Sequence, residues 1–467
     1  DLRVLQCSFH TFVQELDIRR PEPGRGHCSE FRSFGMAALT GRMLCHIPPA
    51  SLQARQARAT GLNTRRQGSW RTQTRWRRPQ TLATAAPVSP PTSPFANVEH
   101  EAQLFAILKA GTASGKIPQR LVDGIMELYD NYKKAVVGSG KPGATEDFVA
   151  KVMATVCERV LMQVQQPFVF QSTHKLILEP YNYYLFGQRY IRGLVDFDKS
   201  RLGHAERFAT IQEQLDRGEN VVLLANHQTE ADPAVFALLL EAQFPRLATD
   251  VIYVAGDRVV TDPVCVPFSM GRNLFCVHSK KHLDDVPELR ADKAAMNRRT
   301  LKDMQAALNR GGQLLWIAPS GGRDRTISPE NGETVPDAFD PAAVELMRAL
   351  TTRAKPVGHL YPFAMYSYKV MPPPTSIEKT IGEQRVVNHA GVGISVGPEL
   401  DVDSLLAAVP ADDKAARQAA LSSAAFDGVT TEYTALWHAV HAAPEDVAPE
   451  YTQPWKAEPA RPLVDYL

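Results

Sequence analysis

The sequence predicts an α/β fold, a mainly parallel mixed sheet flanked by helices and preceded by a small helical bundle. Three observations lead there. Short apolar runs bounded by polar residues recur at Asn220 to Leu224, Val251 to Ala255, Leu274 to Val277, Gln313 to Ile317 and Pro356 to Tyr361. Between them lie stretches with helical spacing, near 233–243, 262–270, 291–310 and 340–353. Apolar strands joined by helices belong in a parallel sheet buried on both faces. Ahead of that alternation, residues 97 to 166 carry only the three-and-four spacing of helices.

The chain opens with a segment of another kind, residues 1 to 95. It holds 14 Arg, no Lys and 5 acids, and from Phe31 to His100 the only acid is Glu99. Such Arg-, Ser- and Thr-rich sequence has the composition of an organelle transit peptide and lacks the apolar core of a secretory signal. Met36-Ala37-Ala38-Leu39-Thr40 reads as a translation start, which places residues 1 to 35 upstream of it. The run from Pro87 to Pro94 then closes the segment with sequence that cannot build a core. An arginine-rich tail also suits nucleic acid or a membrane surface; on the transit reading no nucleic acid is expected as a partner. The net charge of +1 over 467 residues hides an asymmetry, because beyond residue 95 the 38 basic residues face 46 acids, about −8. In so acidic a body a basic cluster calls for a local cause such as an anionic ligand. Cys157, Cys265 and Cys276 have spacings that fit no metal motif, so neither a metal site nor a disulfide framework is expected. No run approaches the roughly 18 apolar residues of a membrane span, which leaves only peripheral membrane contact open.

Residues 96 to 170 form the second expected domain. Leu121, Val122, Ile125, Leu128, Tyr129 and Tyr132 make one apolar stripe, and Phe148, Val149, Val152, Met153, Val156, Val160, Leu161 and Val164 another. Thr145 is placed to cap the second helix, and Gly138, Gly140 and Gly143 part the two. An antiparallel bundle buries both stripes. Residues 171 to 467 are the third domain, the one with alternating strands and helices. Late in it, Gly391-Val392-Gly393-Ile394-Ser395-Val396-Gly397 reads as a strand that opens no helix, and so is no dinucleotide fingerprint. An Ala-rich helix from about Asp412 to Ala443 is expected to pack on the sheet, while His359, His389, His438 and His441 read as ordinary surface or core histidines.

The chemistry centres on Asn226-His227-Gln228-Thr229-Glu230-Ala231-Asp232-Pro233, a turn between the first strand and the apolar helix that follows. Asp232 reads as the N-cap, with Pro233 at the first helical position. A carboxylate has about four acceptor sites, so one aspartate can cap a helix and also orient a histidine. His227 and Asp232 then form a pair in which the carboxylate fixes the tautomer and the free nitrogen takes a proton from an attacking hydroxyl. Alone, the two are as easily a loop residue and a cap. What strengthens the case is the company at the carboxyl ends of other strands, where parallel sheets gather ligands. Arg323 and Arg325 follow the Pro319-Ser320-Gly321-Gly322 turn and offer two planar forks suited to a phosphate; Lys280, Lys281 and His282 follow another strand.

His-x-x-x-x-Asp on a strand-to-helix turn resembles the signature of glycerolipid acyltransferases. The longer strings Asn226 to Pro233, Ser279-Lys280-Lys281-His282-Leu283 and Ala318-Pro319-Ser320-Gly321-Gly322-Arg323-Asp324-Arg325 are similar to those of the soluble plastid glycerol-3-phosphate acyltransferases, over roughly residues 96 to 465. Membrane-bound relatives usually carry Phe-Pro-Glu-Gly-x-Arg at the third block, so the Pro-Ser-Gly-Gly form sides with the soluble branch. The resemblance implies His227 as general base with Asp232 behind it, and Lys281, His282, Arg323 and Arg325 as ligands of the glycerol-3-phosphate phosphate. It implies acyl transfer in the chloroplast stroma from a thioester, chiefly on acyl carrier protein with acyl-CoA as an alternative, to the sn-1 hydroxyl. Neither a metal, a cofactor nor an acyl-enzyme is implied. Two rivals stand beside it: acylation of lysophosphatidate at its second hydroxyl, and a lipid- or carrier-binding module that does no chemistry. The form of the third block disfavours the first, and the intact His/Asp pair disfavours the second.

Overall fold

The computed structural model describes residues 93–278, 287–373, 385–457 and Leu463. The segment read as a transit peptide lies almost wholly outside these, and so do Lys281 and His282.

Among the described residues three helices come first: α1 Glu101–Ala113, α2 Gln119–Gly138 and α3 Glu146–Gln165. The two apolar stripes account for α2 and α3, and Thr145 caps α3 by accepting the Phe148 N–H at 3.1 Å. Helix α1 was not legible because its buried residues are only Leu104 and Leu108, too sparse a stripe. The Tyr132 hydroxyl of α2 donates to the Tyr190 carbonyl at 2.8 Å and the two rings stack 4.7 Å apart, which seats the bundle on the helix α4, Tyr183–Arg192.

The strands are β1 Thr173–His174, β2 Arg201–Gly203, β3 Asn220–Ala225, β4 Ile252–Ala255, β5 Asn273–Cys276, β6 Leu314–Ile317, β7 Thr326–Ile327, β8 Thr334–Val335, β9 Gly358–Tyr366, β10 Gly393–Val396 and β11 Tyr451–Thr452. Nine of them form one sheet in the order β1-β5-β4-β6-β3-β9-β10-β2-β11, while β7 and β8 pair separately. The central run β5-β4-β6-β3-β9 is parallel, with β1 and β10 antiparallel at its two sides. Helices between the strands include α5 Ala205–Asp216, α6 Asp232–Leu240, α7 Pro245–Asp250, α8 Asp257–Thr261, α9 Val266–Met270, α10 Arg290–Arg310 and α11 Pro341–Arg353; α12 Val402–Ala407 and α13 Lys414–His441 come last. Strand β3 shows why its sequence is apolar throughout. Val221 and Leu223 face a core shared with Val235, Phe236 and Leu239, whereas Val222 and Leu224 face Met304, Leu308, Val344 and Leu421. Burying each such side chain is worth about 1.5–3 kcal/mol.

The sequence reading needs four corrections. Strand β9 does not stop at Tyr361 but runs to Tyr366, carrying Pro362 opposite Leu224 in the middle of the sheet. A proline has no ladder donor and so argues against a central strand; here its carbonyl still accepts the Gly397 N–H at 2.8 Å. The helix expected at 262–270 begins only at Val266, as α9, and an unexpected helix, α8, ends ahead of it at Thr261; Asp262-Pro263 parts the two, since a residue before proline avoids helical angles. The stretch 167–219, for which no element was expected, forms β1, α4, β2 and α5. Beyond the Ala-rich helix, where no element was expected, β11 forms. Helix α13 packs on β9 and β10 closely enough that a Cβ on Gly393 would come 2.5 Å from Leu436, and one on Gly428 2.7 Å from Pro362.

Candidate active site

Strands β6, β3 and β9 are neighbours, and their carboxyl ends supply one constellation. Asn226, the first residue beyond β3, ties all three. Its Nδ2 donates to Asp324 Oδ2 at 2.9 Å and to the Met365 carbonyl at 3.0 Å, while its Oδ1 accepts the Met365 N–H at 2.8 Å. The Asp324 N–H donates to the His227 carbonyl at 2.6 Å. The turn after β3 is thereby fixed to the turn after β6 and to the end of β9.

On that frame His227 Nδ1 lies 2.8 Å from Asp232 Oδ2. The same oxygen accepts the Gln228 N–H at 2.8 Å, and Oδ1 accepts the Ser367 hydroxyl at 2.5 Å. A carboxylate can only accept, so the imidazole proton sits on Nδ1 and Nε2 keeps its lone pair. Asp232 is fully buried whereas the His227 side chain is 25% exposed, so the unprotonated nitrogen belongs to the solvent-facing partner of the pair. The indole of Trp316 on β6 packs against the imidazole edge to face at 5.6 Å and limits its rotation. The capping role expected of Asp232 does not hold. The N-cap is Ala231, Asp232 is the first residue of α6 and Pro233 the second, and the carboxylate turns back onto its own loop rather than onto the helix.

The turn after β6 passes through Gly321, whose φ of +73° is a left-handed angle that suits glycine, and delivers Arg323. The Arg323 side chain is 12% exposed and its Nη1 lies 3.2 Å from Glu230 Oε1, three residues past His227. Arg325 is exposed, and its backbone N–H is held by Asp337. The structure therefore gathers His227, Asp232 and Arg323, places Arg325 at the rim, and leaves Lys281 and His282 outside the described residues. Two carboxylates beside the pair have opposite electrostatics. Burial raises the Asp324 carboxyl to about 7, against the bonds from Asn226 and the Asp337 N–H. Burial also acts to raise the Glu230 carboxyl, but Arg385, Arg323 and Arg258 together hold it below the ordinary range. Glu230, Asn226 and Ser367 were all missed in the sequence. The first two lie inside the quoted motif and could have been flagged as polar residues at a strand end; Ser367 could be found only by extending β9 through Pro362.

A histidine backed by a buried carboxylate, with a guanidinium in the turn after the neighbouring strand, can deprotonate a hydroxyl on an anionic molecule. Residues 207–366 match the family described as Acyltransferase, and residues 92–168 the family described as Glycerol-3-phosphate acyltransferase N-terminal. The fold is thus that of an acyltransferase, and the His227–Asp232 pair lies within the matched region. The chain is 45% identical over 367 residues to the chloroplastic glycerol-3-phosphate acyltransferase ATS11 of Cucurbita moschata, covering 77% of this chain and 81% of that protein. It is 44% identical to the chloroplastic glycerol-3-phosphate acyltransferase of Pisum sativum (78% and 79% covered) and 44% identical to that of Arabidopsis thaliana (74% of each). The chain belongs to the chloroplastic glycerol-3-phosphate acyltransferase family.

Proposed function

We propose that the protein transfers an acyl group from a thioester to the sn-1 hydroxyl of glycerol-3-phosphate, giving 1-acyl-glycerol-3-phosphate, and that its donor is acyl carrier protein in the plastid stroma. The observation that carries the reading is the His227–Asp232 pair, whose carboxylate is buried and held on both oxygens, with Arg323 one strand away. In this mechanism the phosphate sits against Arg323 and Arg325, with Lys281 and His282 completing the set. His227 Nε2 takes the proton of the sn-1 hydroxyl as its oxygen bonds to the thioester carbonyl carbon, and Asp232 stabilises the imidazolium. The tetrahedral intermediate collapses by breaking the carbon–sulfur bond, and the thiolate leaves with the imidazolium proton. No covalent acyl-enzyme forms. Among the described residues no helix is long and apolar enough to cross a membrane.

The test is acylation of radiolabelled glycerol-3-phosphate by the purified protein with acyl carrier protein or CoA thioesters, and with lysophosphatidate as the competing acceptor. Product from glycerol-3-phosphate with either donor supports the reaction, and a higher kcat/KM with the carrier thioester supports the donor. Acylation of lysophosphatidate alone, or no turnover with any pair, overturns it.

A further inference from the structure

Glu230 sits inside the catalytic turn with three guanidiniums around it. Arg323 Nη1 lies 3.2 Å and Arg258 Nε 3.6 Å from its Oε1, while Arg385 Nε lies 3.6 Å from Oε2. Arg385 also places Nη2 3.0 Å from Asp262 Oδ2. Asp262 is itself fixed, since its Oδ1 accepts the Val264 N–H at 2.8 Å. The Arg385 side chain is 11% exposed and comes from the far side of the sheet order, just before β10. Its backbone carbonyl accepts a hydrogen bond from Asn131 Nδ2 of α2 at 3.5 Å, and the residue lines a small cavity with Leu121, Ile125, Leu128, Met153 and Val160 of the helical bundle. Nothing assigned so far explains why a buried arginine should be wedged there.

We infer that Arg385 is a positioning residue for the phosphate site: by occupying Glu230 Oε2 it leaves Glu230 only one oxygen with which to hold Arg323, so that Arg323 keeps donors for the substrate. The inference rests on the reading of Arg323 as a phosphate ligand. Three guanidiniums face the carboxylates of Glu230 and Asp262, and Arg385 is the one that meets both carboxylates. Without Arg385 one of those positive charges is lost. Glu230 would then present two oxygens to the flat fork of Arg323, the geometry guanidinium prefers, and draw it off the phosphate. Its buried carboxylate would also repel the incoming dianion. Because Arg385 is held by Asn131 of α2, the helical bundle gains a part in substrate binding without touching substrate.

The experiment is a double-mutant cycle, Arg385→Gln and Glu230→Gln singly and together, with glycerol-3-phosphate and acyl donor each varied in steady state. Pairs in one network couple strongly enough to give about a tenfold effect. Arg385→Gln is expected to raise the glycerol-3-phosphate KM about tenfold with the acyl-donor KM within about twofold. In the Glu230→Gln background the same change should move it less than about twofold. Where turnover is too slow, calorimetric binding of glycerol-3-phosphate supplies the same ratios. Arg385→Lys, which keeps the charge but loses the rigid planar fork, should fall between. An unmoved glycerol-3-phosphate KM in Arg385→Gln, or additive effects across the cycle, overturns the inference; so does a uniform loss in kcat and both KM values with a matching fall in Tm. Arg323→Ala serves as the control: if it too leaves the glycerol-3-phosphate KM unchanged, the phosphate reading itself has failed, whereas a large effect there with none at Arg385 sinks only the positioning role.

Discussion

The Ser367 hydroxyl donates to Asp232 Oδ1 at 2.5 Å, joining the first residue past β9 to the first residue of α6. This bond completes a carboxylate whose other oxygen already serves His227 and the Gln228 N–H. Ser367→Ala removes a hydrogen bond to a charged, fully buried group, which costs about 1.5–3 kcal/mol. If that is felt in the transition state, kcat should fall roughly tenfold to a hundredfold while both KM values stay near wild type. A kcat within about twofold of wild type would show that the Gln228 N–H alone suffices to hold Asp232.

His227→Ala should abolish turnover and leave the fold intact, since the side chain is partly exposed and Asp232 keeps its other two donors. A positioned general base contributes about 10²- to 10⁴-fold. Rates measured alongside circular dichroism would test both halves; a kcat within about threefold of wild type removes His227 from the mechanism.

The two arginines of the third motif should differ. Arg323 is largely buried and paired with Glu230, so Arg323→Ala is expected to weaken glycerol-3-phosphate by about 2–5 kcal/mol, roughly thirtyfold to several thousandfold. Arg325 is exposed, and Arg325→Ala should cost less, of the order of an exposed pair at about 0.2–1 kcal/mol. Lysine at 323 should rescue in part, keeping charge without the fork. If either residue instead docks the carrier protein, the acyl-donor KM will rise and become salt dependent while the glycerol-3-phosphate KM stays put.

Asp324 should make stability fall as pH rises. Burial lifts its folded-state pKa to about 7, above the roughly 3.9 of an unfolded aspartate. The folded chain therefore binds the extra proton between those values, and the stability this contributes is full below about 4 and lost as pH climbs through about 7. The slope is at most about 1.4 kcal/mol per pH unit. Urea unfolding at several pH values should show the decline in the wild type and a flatter profile in Asp324→Asn. That variant will be less stable overall, because an amide has one acceptor oxygen for the two donors Asn226 and the Asp337 N–H. Parallel profiles for the two proteins would place the titration elsewhere.

Residues 1 to about 95 should be absent from the mature protein and dispensable for activity. Mass spectrometry of protein from the organelle is expected to find an N-terminus between about Ala83 and Glu99, and peptides spanning Arg55 to Arg78 in the mature enzyme would defeat the proposal.

Much of this site could be read from residues in order, and what could not has a physical reason. Strand β3 and His227 were legible because an apolar run ending in a polar turn is a local pattern. The cap assigned to Asp232 was wrong because its oxygens are claimed by partners 4 to 135 residues away, which outcompete the local helix amides. Ser367 was hidden behind Pro362, whose presence ends a strand by local rules although pairing to β3 and β10 carries it onward. Glu230 was in plain view within the motif, but its meaning depends on Arg258, Arg323 and Arg385, three side chains that only the folded sheet assembles.

The bond from the Asp324 N–H to the His227 carbonyl has a different kind of consequence. Nearly every other tie in the site is made by a side chain and can be erased by a single substitution. This one is made by main chain on both sides, so sequence drift at either position leaves the spacing between the two turns intact. Only proline at 324, which has no N–H to donate, would sever it. The separation between His227 and the turn that carries Arg323 is thus inherited with the backbone, and selection is free to retune the side chains on either side of it.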